Sequence, residues 1–400
     1  MAAALSDPAA AIGRAYDVVP YDAGVQPGLL LAEVRGAAAA LGFAPSAGPV
    51  LDVLDIGSGT GAQLFEAARQ SAGRMVGVDA SEHACAQARA RGAAFGARWC
   101  ILHGDAATLD LAALGQFDVI YVIGTLYIMP AVARARLLAG LAGCLKPGGV
   151  VVVTYYTGPV GLVRTQLGRL LHGHNDPAWP VGQQVATARA NLQQMADIVP
   201  AAGMAREIVV ATLSSMSGSG DTILFHEALG QVFDTLVTAE IEALLAPQGV
   251  GFVNYVPPAP VLAGAASRAV AQAADAWDFA TGGGYRVALF GRGGAAGGGV
   301  MHPGLVWTTV LQPSSANGGV AFFSDPASGA GIQTDERAMQ AVIECLIAAP
   351  CDWEGLGAAV RVWLSLRGLP VPDALDTAVA GLLATLWGAR LAWPVLREVD

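Results

Sequence analysis

The chain has 400 residues, 54% of them hydrophobic and only 14% charged, with a formal net charge of −10. That length supports a large core and more than one domain, while the acidic balance argues against a broad nucleic-acid-binding surface. Five scattered cysteines without a CxxC pair argue against a metal cluster and read as free thiols of a reducing compartment.

No uninterrupted apolar stretch is long enough to span a bilayer. The uncharged window Val119–Ala133 is broken by Gly124 and Pro130, and the window Gly293–Ser324 is full of Gly, Pro and Ser. The segment MAAALSDPAAAIGRAYD lacks a basic start followed by an apolar run, so no secretory signal is read there. A cytoplasmic location is expected.

From Val50 onward strands and helices alternate. Val50–Ile56 is an apolar strand ending at glycine, and Gly61–Ser71 follows with helical spacing. Arg74–Asp79 is a second strand, Glu82–Phe95 a second helix, Arg98–His103 a third strand and Phe117–Ile123 a bulky, β-branched fourth. Pro130–Leu145 reads as a helix with proline in its first turn, and Val150–Tyr155 as a strand of nearly pure valine. Uniformly apolar strands alternating with helices indicate a parallel sheet covered on both faces. Residues 50–159 are therefore predicted to form a Rossmann-like α/β core.

After Tyr156 the rhythm changes. Val160–His172 and Val181–Val199 read as helices joined by the loop Gly173–Pro180, and Phe225–Leu229 begins another helical stretch. Ser214–Ser219 reads as a flexible loop. Thr238–Ala246 is a helix leading into the strand Val250–Val256, and Arg286–Phe290 is a further short strand. If the two late strands rejoin the sheet, it becomes mainly parallel and seven-stranded, with 160–234 a helical insertion and 235–290 the return to the core. Gly291–Gly299 reads as a linker. Beyond it, strands at Val306–Leu311 and Val320–Phe323 and helices at Asp335–Ala349, Asp352–Leu366 and Asp373–Gly388 suggest a small C-terminal α or α+β accessory domain at 291–400.

Chemistry concentrates at the ends of the first three strands. Asp55-Ile56-Gly57-Ser58-Gly59-Thr60-Gly61 places three glycines in the first strand-to-helix turn, where the backbone can approach a ligand closely. The spacing GxGxG, preceded by an acid, departs from the dinucleotide pattern, and no Lys-Ser/Thr follows to make a triphosphate loop. Asp79 ends the second strand, where a carboxylate accepts from ribose hydroxyls. Asp105, in His103-Gly104-Asp105-Ala106, stands where an acid can accept from an adenine amine. The ligand so inferred carries an amino acid, a ribose and an adenine, and needs no phosphate cradle. His172 and His174 lack a third ligand at clear spacing, so no metal is expected. His226-Glu227 is not an HExxH motif and reads as a helix face.

This pattern resembles the class I S-adenosylmethionine-dependent methyltransferases. LDIGSGTG is similar to their first motif, VGVDAS to the second and GDA to the adenine motif, while LKPGGVVVVTYY resembles the segment entering the fifth strand. The resemblance implies S-adenosyl-L-methionine as methyl donor, S-adenosyl-L-homocysteine as product, and cofactor contacts from Asp55, Gly57, Ser58, Gly59, Gly61, Asp79, Ala80, Asp105, Ala106 and Ile123.

A narrower resemblance covers nearly the whole chain. Ala15–Gly42 and Thr222–Pro260 are similar to the start and the regulatory segment of bacterial methyltransferases with a regulatory domain, whose best-described members methylate protein lysines. It implies N-terminal lid helices over residues 1–49 and lid tyrosines at Tyr16 and Tyr21, which would orient the substrate. Tyr127, Tyr155 and Tyr156, at or just past strand ends, are candidates for substrate binding. The chain departs from that family where Ile123 stands for His and Leu126 for Tyr. The expected partner is a protein or peptide, with a lysine-type amine favoured. A small-molecule N- or O-methyltransferase and a non-catalytic cofactor-binding regulator are the alternatives. No nucleic-acid partner and no membrane span are expected, and the oligomeric state is open.

Overall fold

A computed structural model describes residues 8–21, 24–43, 48–200, 206–230, 232–258, 267–293, 305–317, 319–326 and 329–396. Two helices, α1 (Pro8–Val18) and α2 (Leu31–Ala40), precede the alternating region. That region contains β1 (Val53–Ile56), α3 (Ala62–Gln70), β2 (Met75–Asp79), α4 (Glu82–Arg91), β3 (Trp99–His103), β4 (Phe117–Val122), α5 (Ala131–Gly143) and β5 (Leu145–Tyr156). β1 and β4 are buried at every position, as expected of strands covered on both faces. Leu145 pairs with Phe117 and so opens β5; the expected helix 130–145 accordingly stops earlier, at Gly143.

Four helices follow: α6 (Gly158–Gly173), α7 (Val181–Ile198), α8 (Arg206–Ser217) and α9 (Asp221–Ala228). They enclose a small core of their own, including Leu167, Leu171, Leu192, Leu213, Met216 and Leu224. Here the sequence reading needs correction. Ser214–Ser217 form the last turn of α8, because burial of Leu213 and Met216 overrides the weak helix propensity of serine. Helix α9 begins at Asp221 and ends at Ala228, where a start at Phe225 was expected.

Next come α10 (Thr238–Leu245), β6 (Val250–Tyr255), α11 (Ser267–Thr281) and β7 (Tyr285–Arg292). Helix α11 has no counterpart in the sequence reading. The seven-stranded sheet has the order β3-β2-β1-β4-β5-β7-β6, with β7 antiparallel to both β5 and β6. The late strands thus return to the sheet edge, and α6–α9 form an insertion between β5 and the return. Gly291 and Arg292 belong to β7 and not to a linker; residues 294–299 of the expected linker lie outside the described residues.

The C-terminal part contains β8 (Leu305–Thr309), β9 (Gln312–Asn317), β10 (Val320–Ser324), β11 (Gly331–Thr334), α12 (Arg337–Ala348), β12 (Cys351–Asp352), α13 (Trp353–Leu366), α14 (Leu375–Gly388) and β13 (Ala392–Leu396). It is α+β, with sheets ordered β11-β10-β9 and β12-β8-β13. Its buried Trp307 and Trp387 meet edge to face, with centroids 5.9 Å apart. This core is continuous with α2 and one face of the large sheet. The join is close: a side chain at Gly36 of α2 would place its Cβ 2.3 Å from the Pro394 carbonyl oxygen of β13. No helix among the described residues is long and apolar enough to cross a membrane.

Candidate active site

The strand order reverses between β1 and β4, where an open α/β sheet places its ligand crevice beyond the carboxyl ends of the strands. A cavity of about 340 Å³ lies there. Its floor is the β1–α3 turn. Gly57 has φ of 72°, and a Cβ on it would lie 2.2 Å from Thr125 Oγ1, so only glycine lets this turn pass under the β4 loop. Thr125 Oγ1 ties that loop down by donating to the Ile56 carbonyl at 3.1 Å.

Three acids face this part of the cavity: Asp55, Asp79 and Asp105. Asp79 accepts from the Gly59 amide through Oδ2 and from the Ser81 amide through Oδ1, both at 2.8 Å. One side chain therefore couples the glycine turn to the second motif. Burial pushes its carboxyl above the usual range, and the nearby Asp17 charge adds to this. Asp55 is buried, and desolvation followed by the charge of Asp79 pushes it up to about 7. Asp105 Oδ1 accepts from the Ala107 amide at 2.9 Å. Ser58 Oγ is buried with no partner in the protein. Two close, desolvated acids and an unpartnered hydroxyl suit a cationic, hydrogen-bonding ligand.

The same cavity continues into a ring of tyrosines beside the insertion. Tyr16 of α1 stacks on His226 of α9, with centroids 3.9 Å apart and planes 7° from parallel. Tyr21 approaches the same ring edge-on at 6.0 Å. His226 Nε2 lies 2.7 Å from the Val19 carbonyl, so this nitrogen carries the hydrogen; burial lowers the His226 pKa. Tyr127 and Tyr156 meet edge to face at 5.1 Å, and Tyr156 and Tyr285 at 5.0 Å. Between them stands Glu227. Its Oε1 accepts from the Tyr127 hydroxyl, and its Oε2 from the Tyr156 hydroxyl and from Arg164. Burial raises the Tyr127 and Tyr156 pKa values, and the Glu227 charge raises them further, so both hydroxyls stay protonated. Burial pushes Tyr285 up to about 12.

Helix α1 closes over both halves. A Cβ on Gly13 would lie 2.2 Å from the Ala80 carbonyl oxygen, so the helix rests directly on the second motif. Asp17 Oδ1 accepts from Ser81 Oγ at 2.6 Å and from the His83 amide at 3.1 Å.

Of the residues singled out from sequence, Asp55, Gly57, Ser58, Gly59, Asp79, Ala80, Asp105, Ala106 and Ile123 line the cavity, together with Tyr16, Tyr21, Tyr127 and Tyr156. Two do not. Gly61 lies beneath the turn as the cap of α3, turned toward Ala88 and Trp99. Tyr155 is fully buried on the other side of the sheet, its hydroxyl 2.8 Å from Thr238 Oγ1. Consecutive residues of a strand point to opposite faces, so Tyr155 and Tyr156 could not both reach one pocket. Sequence reasoning missed Tyr285, His226, Glu227 and Arg164. The pair His226-Glu227 was visible, but the partners of Glu227 lie 63 to 100 residues away in the chain, so no local spacing marks it.

Residues 53–149 match the family described as methyltransferase domain. A carboxy-S-adenosyl-L-methionine synthase from Wolinella succinogenes is 31% identical over 103 residues, which are 25% of this chain and 42% of that protein. The chain thus spans less than half the length of this curated relative. Among solved structures, PKMT2 from Rickettsia typhi in complex with AdoHcy superposes with a TM-score of 0.75 over 95% of this chain and 78% of its own, at 17% identity. A second PKMT2 structure gives 0.74 over 94% and 77%, at 16% identity. These overlays carry the shared fold, C-terminal part included. Together with the acid-lined crevice at the switch point and the motifs that build it, the family match makes residues 53–149 a class I S-adenosylmethionine-dependent methyltransferase domain.

Proposed function

We propose that this protein transfers a methyl group from S-adenosylmethionine to an amine on a protein or peptide side chain, of the lysine type. The carrying observation is the composition of one cavity: Asp55, Asp79, Asp105 and Glu227 line it with five tyrosines, and no lysine or arginine is among its described lining residues. A carboxylate-bearing acceptor would meet no fixed cation there, whereas a sulfonium and an amine both meet acids and ring faces.

The residues fit the donor. Asp79 has lone pairs left for ribose hydroxyls after accepting two amides. Asp105 stands where an adenine amine can donate, and Asp55 and Ser58 at the turn where the amino-acid end would lie. When bound, S-adenosylmethionine supplies a methyl on a cationic sulfur; an acceptor that arrives as ammonium must first give one proton to solvent, and its freed lone pair then takes the methyl while the carbon–sulfur bonding pair returns to sulfur and S-adenosylhomocysteine leaves. The protein's contribution is to hold the acceptor in line and exclude water. Tyr16, Tyr127, Tyr156 and Tyr285 form the walls of that approach, and α1 covers it. The cavity, about 340 Å³, is at the small end of the usual ~300–1,000 Å³ of ligand sites.

The test is to incubate the protein with S-adenosylmethionine carrying a tritiated methyl and a cell lysate, then separate macromolecules from small molecules. Label in methyl-lysine after hydrolysis of the protein fraction is the expected result. Label confined to small molecules would refute the polypeptide acceptor, and no label above a heat-killed control would refute methyl transfer.

A further inference from the structure

The insertion supplies a charged group that the methyl-donor motifs neither contain nor predict. We propose that Glu227 is the specificity-determining residue for the acceptor, the carboxylate that receives a primary ammonium or amine and rejects hydroxyl and carboxyl acceptors. This rests on the methyl-transfer reading above and adds the group that selects the acceptor atom.

The geometry separates the two oxygens of Glu227. Oε2 carries two donors, Arg164 Nη2 at 2.6 Å and the Tyr156 hydroxyl at 3.2 Å. Oε1 carries one, the Tyr127 hydroxyl at 3.2 Å, and so keeps acceptor capacity. Glu227 lines the cavity that also holds the donor motifs. An ammonium at Oε1 would be bounded by the faces and hydroxyls of Tyr127 and Tyr156, which favour a cation and accept its remaining N–H groups.

Arg164 is a positioning residue. It is buried on α6, its side chain 4% exposed, with its guanidinium carbon 4.8 Å from the Tyr156 ring centroid and 5.4 Å from that of Phe233. From there it fixes the carboxylate without entering the cavity, since it is not among the lining residues. A neutral hydroxyl acceptor would keep a hydrogen bond to the carboxylate but forgo the ion pair that an ammonium makes with it, and a carboxylate would meet Glu227 as a like charge. The insertion therefore carries acceptor choice, and the Rossmann-like core carries donor binding.

The test needs no natural substrate. Two analogues of S-adenosylhomocysteine are made with nitrogen in place of sulfur, one bearing a 2-aminoethyl arm and the other an n-propyl arm of equal heavy-atom count. Their affinities, and that of S-adenosylhomocysteine, are measured by titration calorimetry on wild type and on the double variant R164M/E227Q. Removing both charges together avoids leaving the arginine buried and unpaired. The expected result is a ~10- to 100-fold preference for the ammonium-tipped analogue in wild type, the size of one hydrogen bond to a charged group. In the double variant that ratio should fall to near one, with S-adenosylhomocysteine affinity unchanged. Glu227→Gln alone, read by the same ratio, serves if the double variant does not fold. Equal affinities in wild type, or a preference that survives in the variants, would overturn the proposal. Failure of S-adenosylhomocysteine to bind wild type would instead overturn the methyl-donor reading, and this inference with it.

Discussion

Replacement of Asp79 by alanine tests the cofactor site at its most connected point. Each carboxylate oxygen already accepts one backbone amide, from Gly59 and from Ser81, at 2.8 Å. An ionised carboxylate offers about four lone-pair sites, so about two remain for the ligand, matching the two hydroxyls of a ribose. A hydrogen bond to a charged group contributes about 1.5–3 kcal/mol, so losing both, with some compensation by water, costs ~3 kcal/mol or ~100-fold in affinity. The Gly59 amide borders the cavity, where water can take the carboxylate's place, but Ser81 is 1% exposed and its amide is left unpaired, so folding stability should also fall, by ~1–3 kcal/mol. Titration calorimetry with S-adenosylhomocysteine measures the first quantity and urea unfolding the second. Repeating the titration with the 2′-deoxy analogue completes a double-mutant cycle: the missing hydroxyl should weaken binding to wild type and have little further effect in D79A. Affinity in folded D79A within about threefold of wild type would refute the ribose assignment.

Asp55 gives a pH signature. Burial, and then Asp79, raises its pKa from 3.8 in the unfolded chain to about 7. The folded state therefore binds this proton more tightly, and the stability it confers, full below the unfolded value, is lost as pH rises toward 7. Urea unfolding between those limits should show a shallower pH dependence in Asp55→Asn than in wild type; identical slopes would contradict the assignment. The adjacent tyrosines should behave oppositely. Tyr155→Phe should cost ~1 kcal/mol of stability through its lost hydrogen bond to Thr238 and leave turnover intact, while Tyr156→Phe should reduce turnover with little loss of stability. Reversal of that pattern would misplace the acceptor pocket. Gly13→Ala should lift α1 from Ala80, because its Cβ would sit 2.2 Å from the carbonyl oxygen. Stopped-flow measurement should then show faster S-adenosylhomocysteine release, and an unchanged rate would remove α1 from the role of cover.

The donor half of this protein is written locally. The glycine turn, Asp79 and Asp105 each follow a strand of recognisable apolar pattern, and a parallel sheet brings successive strand ends to one rim, so their spacing in the chain is enough to place them together. The β1–β5 alternation and the long helices α6 and α7 are legible for the same reason. The acceptor half is not local. Glu227 is defined by Tyr127, Tyr156 and Arg164, which come from the turn after β4, the end of β5 and α6. The side of the sheet taken by Tyr155 or Tyr156 depends on the register of β5, which a run of valines does not reveal. Strands β9 and β11 carry no apolar pattern, with Gln312–Ala316 of β9 exposed, and are held by antiparallel pairing with β10; β13 pairs with β8 and lies under α2 from the other end of the chain. Sequence alone determined the donor fold and its motifs, because those depend on short-range pattern. The tertiary structure alone decided which side chains surround Glu227 in the proposed acceptor pocket, because that depends on segments that meet only after folding.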